Sequence, residues 1–245
     1  MRIYSIGETI QGIFLERPNR YLAKVLVKNR IEDVHVHDPG RLKELLYENN
    51  DVLIKEVNNP KRKTKYDLIA AKKEDEYVLV NSMYHRYIAE KILKEKYKDL
   101  KAEVRYNNSR IDFLADSKIW IEIKGCTLSK NNIALFPDAP TKRGLKHLNE
   151  LIELKNKGYE THVYFLIFSR AKYFSPNWET DPDFSKKLIE AKKNGVKIYP
   201  LLFSYKNNII YFEKEINFRN NQIRIIPFFM GTFMNSPIYP LFIPK

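Results

Sequence analysis

Between residues 9 and 81 apolar and polar positions alternate in short runs, TIQGIFLER, RYLAKVLVKN, DVHVH, DVLIKEV, KYDLIAAKK and EYVLVN, separated by turn-forming or acidic residues. A period of two sends successive side chains to opposite faces, so these runs predict short strands with one buried side. One segment breaks the period. In residues 41–49, RLKELLYEN, Leu42, Leu45 and Leu46 recur at helical spacing behind Asp38, a capping residue, and Pro39, which suits a first turn.

Strands, one helix and then more strands is the order of a five-stranded oligonucleotide-binding (OB) barrel, whose helix joins the third and fourth strands. Around Asn81 the period changes. SMYHRYIAEKILKEKYKDL spaces Tyr84, Ile88, Ile92 and Leu93 for a helix with its lysines outward, and a domain boundary is placed there. EVRYNN, RIDFLAD and KIWIEIKGCTL then read as strands, the last two joined by a turn at Asp116 and Ser117. Thr141 caps a helix carrying Leu145, Leu148, Leu151, Ile152 and Leu154 that Gly158 ends; a buried strand THVYFLIFS follows. A helix between Asp181 and Gly195 leads to the strand VKIYPLLF. Alternating helices and strands predict an α/β domain with a parallel component.

Composition narrows the class. With 44% hydrophobic and 13% aromatic residues, the 245-residue chain reads as folded rather than disordered. Its net charge of +13 favours a polyanionic partner, and nearly all of it falls after residue 80, +11 against +2 before it. A single cysteine, Cys126, allows no internal disulfide and fits the reducing cytoplasm, and the opening MRIYSIGETIQG lacks a secretory apolar core. The most apolar stretch, from residue 223 onward, is interrupted by Pro227, Pro237, Pro240 and Pro244, which argues against a membrane span.

The candidate chemistry lies in RIDFLADSKIWIEIKG, residues 110–125. Alternation puts Glu122 and Lys124 on one face with Trp120 and turns Ile121 and Ile123 to the other. The short turn lets Asp112 lie on the neighbouring strand, its carboxylate converging with Glu122 while Ile111 and Phe113 turn to the core. Two facing carboxylates raise each other's pKa, which a divalent cation relieves; Mg²⁺ takes oxygen ligands and keeps several waters. Lys124 beside them suits orientation of such a water or stabilisation of charge on phosphorus. The same residues also fit a half-exposed hairpin with a cross-strand Glu–Lys arrangement worth about a few tenths of a kcal/mol.

Five stretches carry a resemblance that favours the metal site over the plain hairpin: NNPKRKTKYDLIAA (58–71), VNSMYHRYIAEKIL (80–93), NNSRIDFLADSKIWIEIKGCTL (107–128), IALFPDAPTKRGLKHLNEL (133–151) and WETDPDFSKKLIEAKKNGVKIYPLLF (178–203). Together they resemble the sugar fermentation stimulation protein A family, over residues 9 to about 212, with LFPDAPTxRGxKHLxEL as the specific signature. The resemblance implies an OB-fold-like domain over residues 1–80, an α/β domain over 81–212 similar to the PD-(D/E)XK, restriction-endonuclease-like nucleases, and a divergent tail over 213–245. Position by position, Asp112 and Glu122 match that motif's acids and Lys124 its lysine. The implied function is DNA binding with a Mg²⁺- or Mn²⁺-dependent nuclease site, acting on single- or double-stranded DNA. The alternative is a non-catalytic DNA-binding regulator of sugar metabolism genes built on a nuclease-like scaffold.

Further candidates surround this centre. Glu90, on the preceding helix, stands where such nucleases supply an additional acidic ligand. Arg143, Lys146 and His147 sit near the start of the later helix, a favourable place for a phosphate. Lys61, Arg62, Lys63 and Lys65 form a basic loop, with Tyr66 and Tyr21 as stacking partners for bases. Asp138 is placed to cap or brace its loop, and His35 and His37 share a strand face at a spacing that fits a metal. Pro39 and Gly40 stand where many family members carry Thr-Gly, which weakens any binding role for Arg41. The tail has no family counterpart; it suits covering a sheet edge or self-association into a homo-oligomer.

Overall fold

The computed structural model describes residues 1–220 of the chain. In chain order its elements are β1 (Arg2–Ser5), β2 (Ile10–Asn19), β3 (Leu22–Val27), β4 (Arg30–His35), β5 (Asp51–Glu56), β6 (Tyr66–Lys73), β7 (Glu76–Leu79), α1 (Tyr84–Leu93), β8 (Leu100–Tyr106), β9 (Ser109–Ala115) and β10 (Ile119–Cys126). There follow β11 (Ser129–Lys130), β12 (Ile133–Phe136), α2 (Lys142–Asn156), β13 (Glu160–Ile167), β14 (Tyr173–Pro176), α3 (Pro182–Lys193), β15 (Lys197–Lys206), β16 (Ile209–Glu215) and β17 (Asn217–Phe218).

Strands β2 to β6 close into a five-stranded barrel. β2 pairs with β3 and β5, β3 with β4, and β5 with β6, all antiparallel, and β4 returns beside β6 in parallel through Val34 and His35 against Tyr66 and Asp67. This is the strand order of an OB fold. The helix expected over 41–49 does not form. Leu42 takes a positive φ of 48° and only one turn closes, Leu46 N to Leu42 O at 2.7 Å. Long-range bonds decide the conformation: the Asp138 carboxylate accepts from the amides of Arg41 and Leu42, at 2.9 and 3.5 Å. The Arg17 guanidinium donates to the carbonyls of Arg20, Asp38, Gly40 and Arg41. Asp38 bonds the Gly40 amide in a local turn instead of capping a helix, while Leu42, Leu45 and Leu46 are still buried as a plug.

The second domain is built on β10, β13 and β15, which run parallel, with β9 and β8 antiparallel beyond β10. Strands covered on both faces read as continuous apolar runs, and β13 is buried from Thr161 to Ile167. Two cores follow. One joins the barrel interior to α1 and the Ile121 face of the sheet; the other holds Trp120, Val163, Phe165 and the buried faces of α2 and α3. α2 begins where Thr141 Oγ1 accepts from the Gly144 amide at 3.0 Å and ends before Gly158 at φ 92°; α3 begins on Asp181 with Pro182 in its first turn.

The two domains share one 13-stranded sheet. β7 pairs with β6 of the barrel on one side and meets β15 through Tyr77 and Tyr205 on the other. β1 lies ahead of the barrel in sequence yet pairs with β16 of the second domain. β16 continues past residue 212 to Glu215, and Asn217–Phe218 of β17 pair with β14, so the sheets reach beyond residue 212. The part of the expected tail from residue 221 lies outside the described residues. Among the described residues no helix is long and apolar enough to cross a membrane.

Candidate functional site

The turn between β9 and β10, with Asp116 and Ser117 at φ 47° and 55°, brings the two candidate acids onto adjoining strands. Regular pairing stops at Phe113 opposite Ile121. Beyond that point the side chain of Asp112 takes over the ladder, its Oδ2 accepting from the Ile123 amide at 2.7 Å. Ile111 and Phe113, expected on one core face, divide instead between the two cores, and across the ladder Glu103 takes a φ of 56°.

Glu122, 2% exposed, is the centre of the cluster. Its Oε1 accepts from the Lys124 ammonium at 2.5 Å and from His147 Nδ1. A carboxylate only accepts, so His147 Nδ1 carries the hydrogen and shares this oxygen with the ammonium 3.4 Å away. Burial pushes the Glu122 pKa up, but Lys124 and His147 outweigh it and hold the group below the ordinary glutamate range. Its Oε2 is buried and has no hydrogen-bond partner. For Asp112, burial and then the Glu122 charge push the pKa up to about 6. A buried carboxylate oxygen without a donor, beside a second carboxylate that resists ionising, is a donor set short of positive charge. It fits a hard divalent cation, and Mg²⁺ in particular needs only one or two carboxylates because it keeps waters.

These shifts give a pH dependence with a definite sign. A carboxylate whose pKa rises on folding stabilises the folded state below its unfolded value and loses that contribution as pH rises. For Asp112 the window runs from about 3.8 to about 6. In EDTA, the melting-temperature difference between wild type and Asp112→Asn is therefore expected to move against wild type across this window. A difference that stays flat from acid to neutral pH would show that Asp112 ionises freely. Asp67 has the opposite sign: burial raises its pKa, but His37 and Arg62 bring it to about 2.

The other candidates are placed as follows. Glu90 does not join the acids; its carboxylate pairs with Lys94 at 2.6 Å on α1, which packs on the opposite sheet face from α2. Among the described residues no three His, Cys, Asp or Glu side chains are grouped to hold a metal. Tyr66 is only 8% exposed and belongs to the core, so it offers no ring for a base, whereas Tyr21 is 50% exposed. In the basic loop, Arg62 pairs with Asp67 at 2.5 Å and Lys65 with Glu56 at 3.2 Å, leaving Lys61 and Lys63 exposed. His37 faces Asp67 at 3.1 Å and stands edge-on to His35, an arrangement that Asp67 and Arg62 already complete.

Arg143, Lys146 and His147 line a cleft of about 770 Å³ between α2 and the β8–β9 hairpin. Arg105, Arg110 and Lys142 join them there. Sequence reading missed these three, although Arg110 lies only two positions before Asp112. Asp138 does brace its loop, by reaching the barrel amides described above.

Fold and site together define a class: an OB barrel fused to an α/β domain that holds two acids and a lysine at the junction of antiparallel and parallel strands. Residues 15–80 match the model for the SfsA N-terminal OB domain and residues 78–208 that for the sugar fermentation stimulation protein RE domain. A sugar fermentation stimulation protein homolog of Thermosipho melanesiensis is 69% identical over 216 residues, covering 88% of this chain and 97% of that one. A homolog from Methanosphaera stadtmanae is 46% identical, covering 83% and 92%. The structure of Pyrococcus furiosus SfsA in complex with Ca²⁺ superposes with a TM-score of 0.82 at 26% identity, over 89% of this chain and 99% of that one. The chain belongs to the sugar fermentation stimulation protein (SfsA) family.

Proposed function

We propose that the protein is a Mg²⁺- or Mn²⁺-dependent phosphodiesterase acting on DNA. One observation carries the reading: Glu122 keeps a buried oxygen without a donor next to a second carboxylate, with a lysine ammonium on the other oxygen. Asp112 and Glu122 would hold the cation, which when bound acidifies a coordinated water and neutralises charge on the phosphate. Lys124 presents an ammonium to the attacking water or the phosphoryl oxygens. His147 holds Glu122 by Oε1 and leaves Oε2, which has no protein donor, as the oxygen that would serve a cation. The P. furiosus relative was solved with Ca²⁺, a cation that also takes oxygen ligands, which supports a hard-cation site.

The barrel supplies a second nucleic-acid surface, with Tyr21 and the exposed Lys61 and Lys63 on it. The test is incubation of purified protein with single- and double-stranded DNA, with Mg²⁺, Mn²⁺ or EDTA. Metal-dependent cleavage is expected, and intact DNA under every condition would defeat the reading. In that case the second reading stands: a DNA-binding regulator that does not cleave. The relatives' name, sugar fermentation stimulation, favours it, and it predicts salt-sensitive binding alone.

A further inference from the structure

The cleft between α2 and the β8–β9 hairpin has an unusual charge balance. Arg110, Lys142 and Arg143 line it, are exposed, and have no side-chain hydrogen bond or ion pair among the described residues. Arg105 reaches only the Asn107 carbonyl, at 3.4 Å. Lys146 touches the Asn108 carbonyl at 3.2 Å and Glu150 at 3.8 Å. Glu103 is the single acid on the lining, so five cations face one carboxylate. His147, which holds Glu122, also lines the cleft and so connects it to the acids.

We infer that this cleft binds the phosphate backbone of single-stranded DNA and leads it to the carboxylate pair. The inference rests on the nucleic-acid reading above and adds a route and a strand preference. Uncompensated arginines and lysines in one concave surface bind phosphates by releasing counterions, whatever the base sequence. The strand preference follows from depth. Glu122 is 2% exposed and Asp112 is half-buried, so a phosphate has to enter a recess to reach them. An unpaired strand bends to bring its backbone down into such a recess, whereas a duplex carries its phosphates on the outside of a stiff rod.

The experiment is fluorescence anisotropy with fluorescein-labelled oligothymidylate in EDTA, titrated at several salt concentrations. The triple variant Arg110→Ala/Lys142→Ala/Arg143→Ala is expected to lose affinity by about tenfold or more. The slope of log affinity against log salt should shrink by about 2, at about 0.7 for each lost contact. Arg110→Lys/Lys142→Arg/Arg143→Lys should retain the wild-type slope, and so should Lys118→Ala/Lys186→Ala/Lys193→Ala, which removes equal charge elsewhere. A duplex of the same length should compete poorly. An unchanged slope in the cleft triple, an equal fall in the distant triple, or a duplex binding as tightly as the single strand overturns the inference. Because no metal is present, this result is independent of cleavage. The hydrolytic reading fails separately, if DNA stays intact while cleft binding persists.

Discussion

Glu122→Gln and Asp112→Asn are each expected to reduce Mg²⁺-dependent cleavage of DNA by about 10³-fold or more, with the fold intact. Each change replaces an anionic oxygen by an amide of the same size. The cation then loses a charged ligand, and the several kcal/mol that it supplies to the transition state correspond to about three decades in rate. The two variants should differ in stability. Asp112→Asn keeps an acceptor for the Ile123 amide, whereas Glu122→Gln removes the charge that the half-buried Lys124 and the buried His147 share. A buried ion pair that loses one partner leaves the other uncompensated, so Glu122→Gln should melt lower than Asp112→Asn. Lys124→Ala completes the set, with cleavage lost while cation binding, followed by calorimetry, persists. Wild-type cleavage rates in both carboxylate variants would remove this site from the chemistry.

Gly125→Ala is expected to destabilise the protein by about 2 kcal/mol, a large effect for one methyl group. The added carbon would sit 2.0 Å from Cε1 of His85, whose ring would have to give up its stacking on Phe168 at 5.3 Å to make way. His85 is half-buried, and burial holds its pKa down to about 4, so the ring is neutral at physiological pH. The double variant Gly125→Ala/His85→Ala should recover part of the loss, and urea unfolding of the four proteins measures the coupling. A Gly125→Ala protein as stable as wild type would mean that the ring yields easily. Because Gly125 follows Lys124 directly, the strand shift that relieves the clash should also lower activity.

Much of this arrangement was legible in the sequence where local rules act alone. Alternation along β10 separates Glu122 and Lys124 from Ile121 and Ile123 without reference to the rest of the chain. Thr141, Asp181 and Gly158 mark helix ends through bonds and backbone conformations within a few residues of themselves. The failures have long-range causes. Residues 41–49 carry a helical spacing, but Arg17 and Asp138 take their backbone groups from 24 and 97 positions away. Tyr66 reads as a stacking ring beside lysines until barrel closure turns it inward. The cleft cations are spread from Arg105 to Lys146, and only the packing of the hairpin against α2 gathers them.

Because β7 is hydrogen-bonded to both domains and β1 crosses from the front of the chain to β16, the covalent boundary near residue 80 is not a line of separation. A protease cut there would leave the fragments zipped together by backbone bonds. Either half expressed alone would expose raw strand edges, the kind of surface that seeds aggregation. The molecule should therefore melt as one cooperative unit, and studying either half means keeping both.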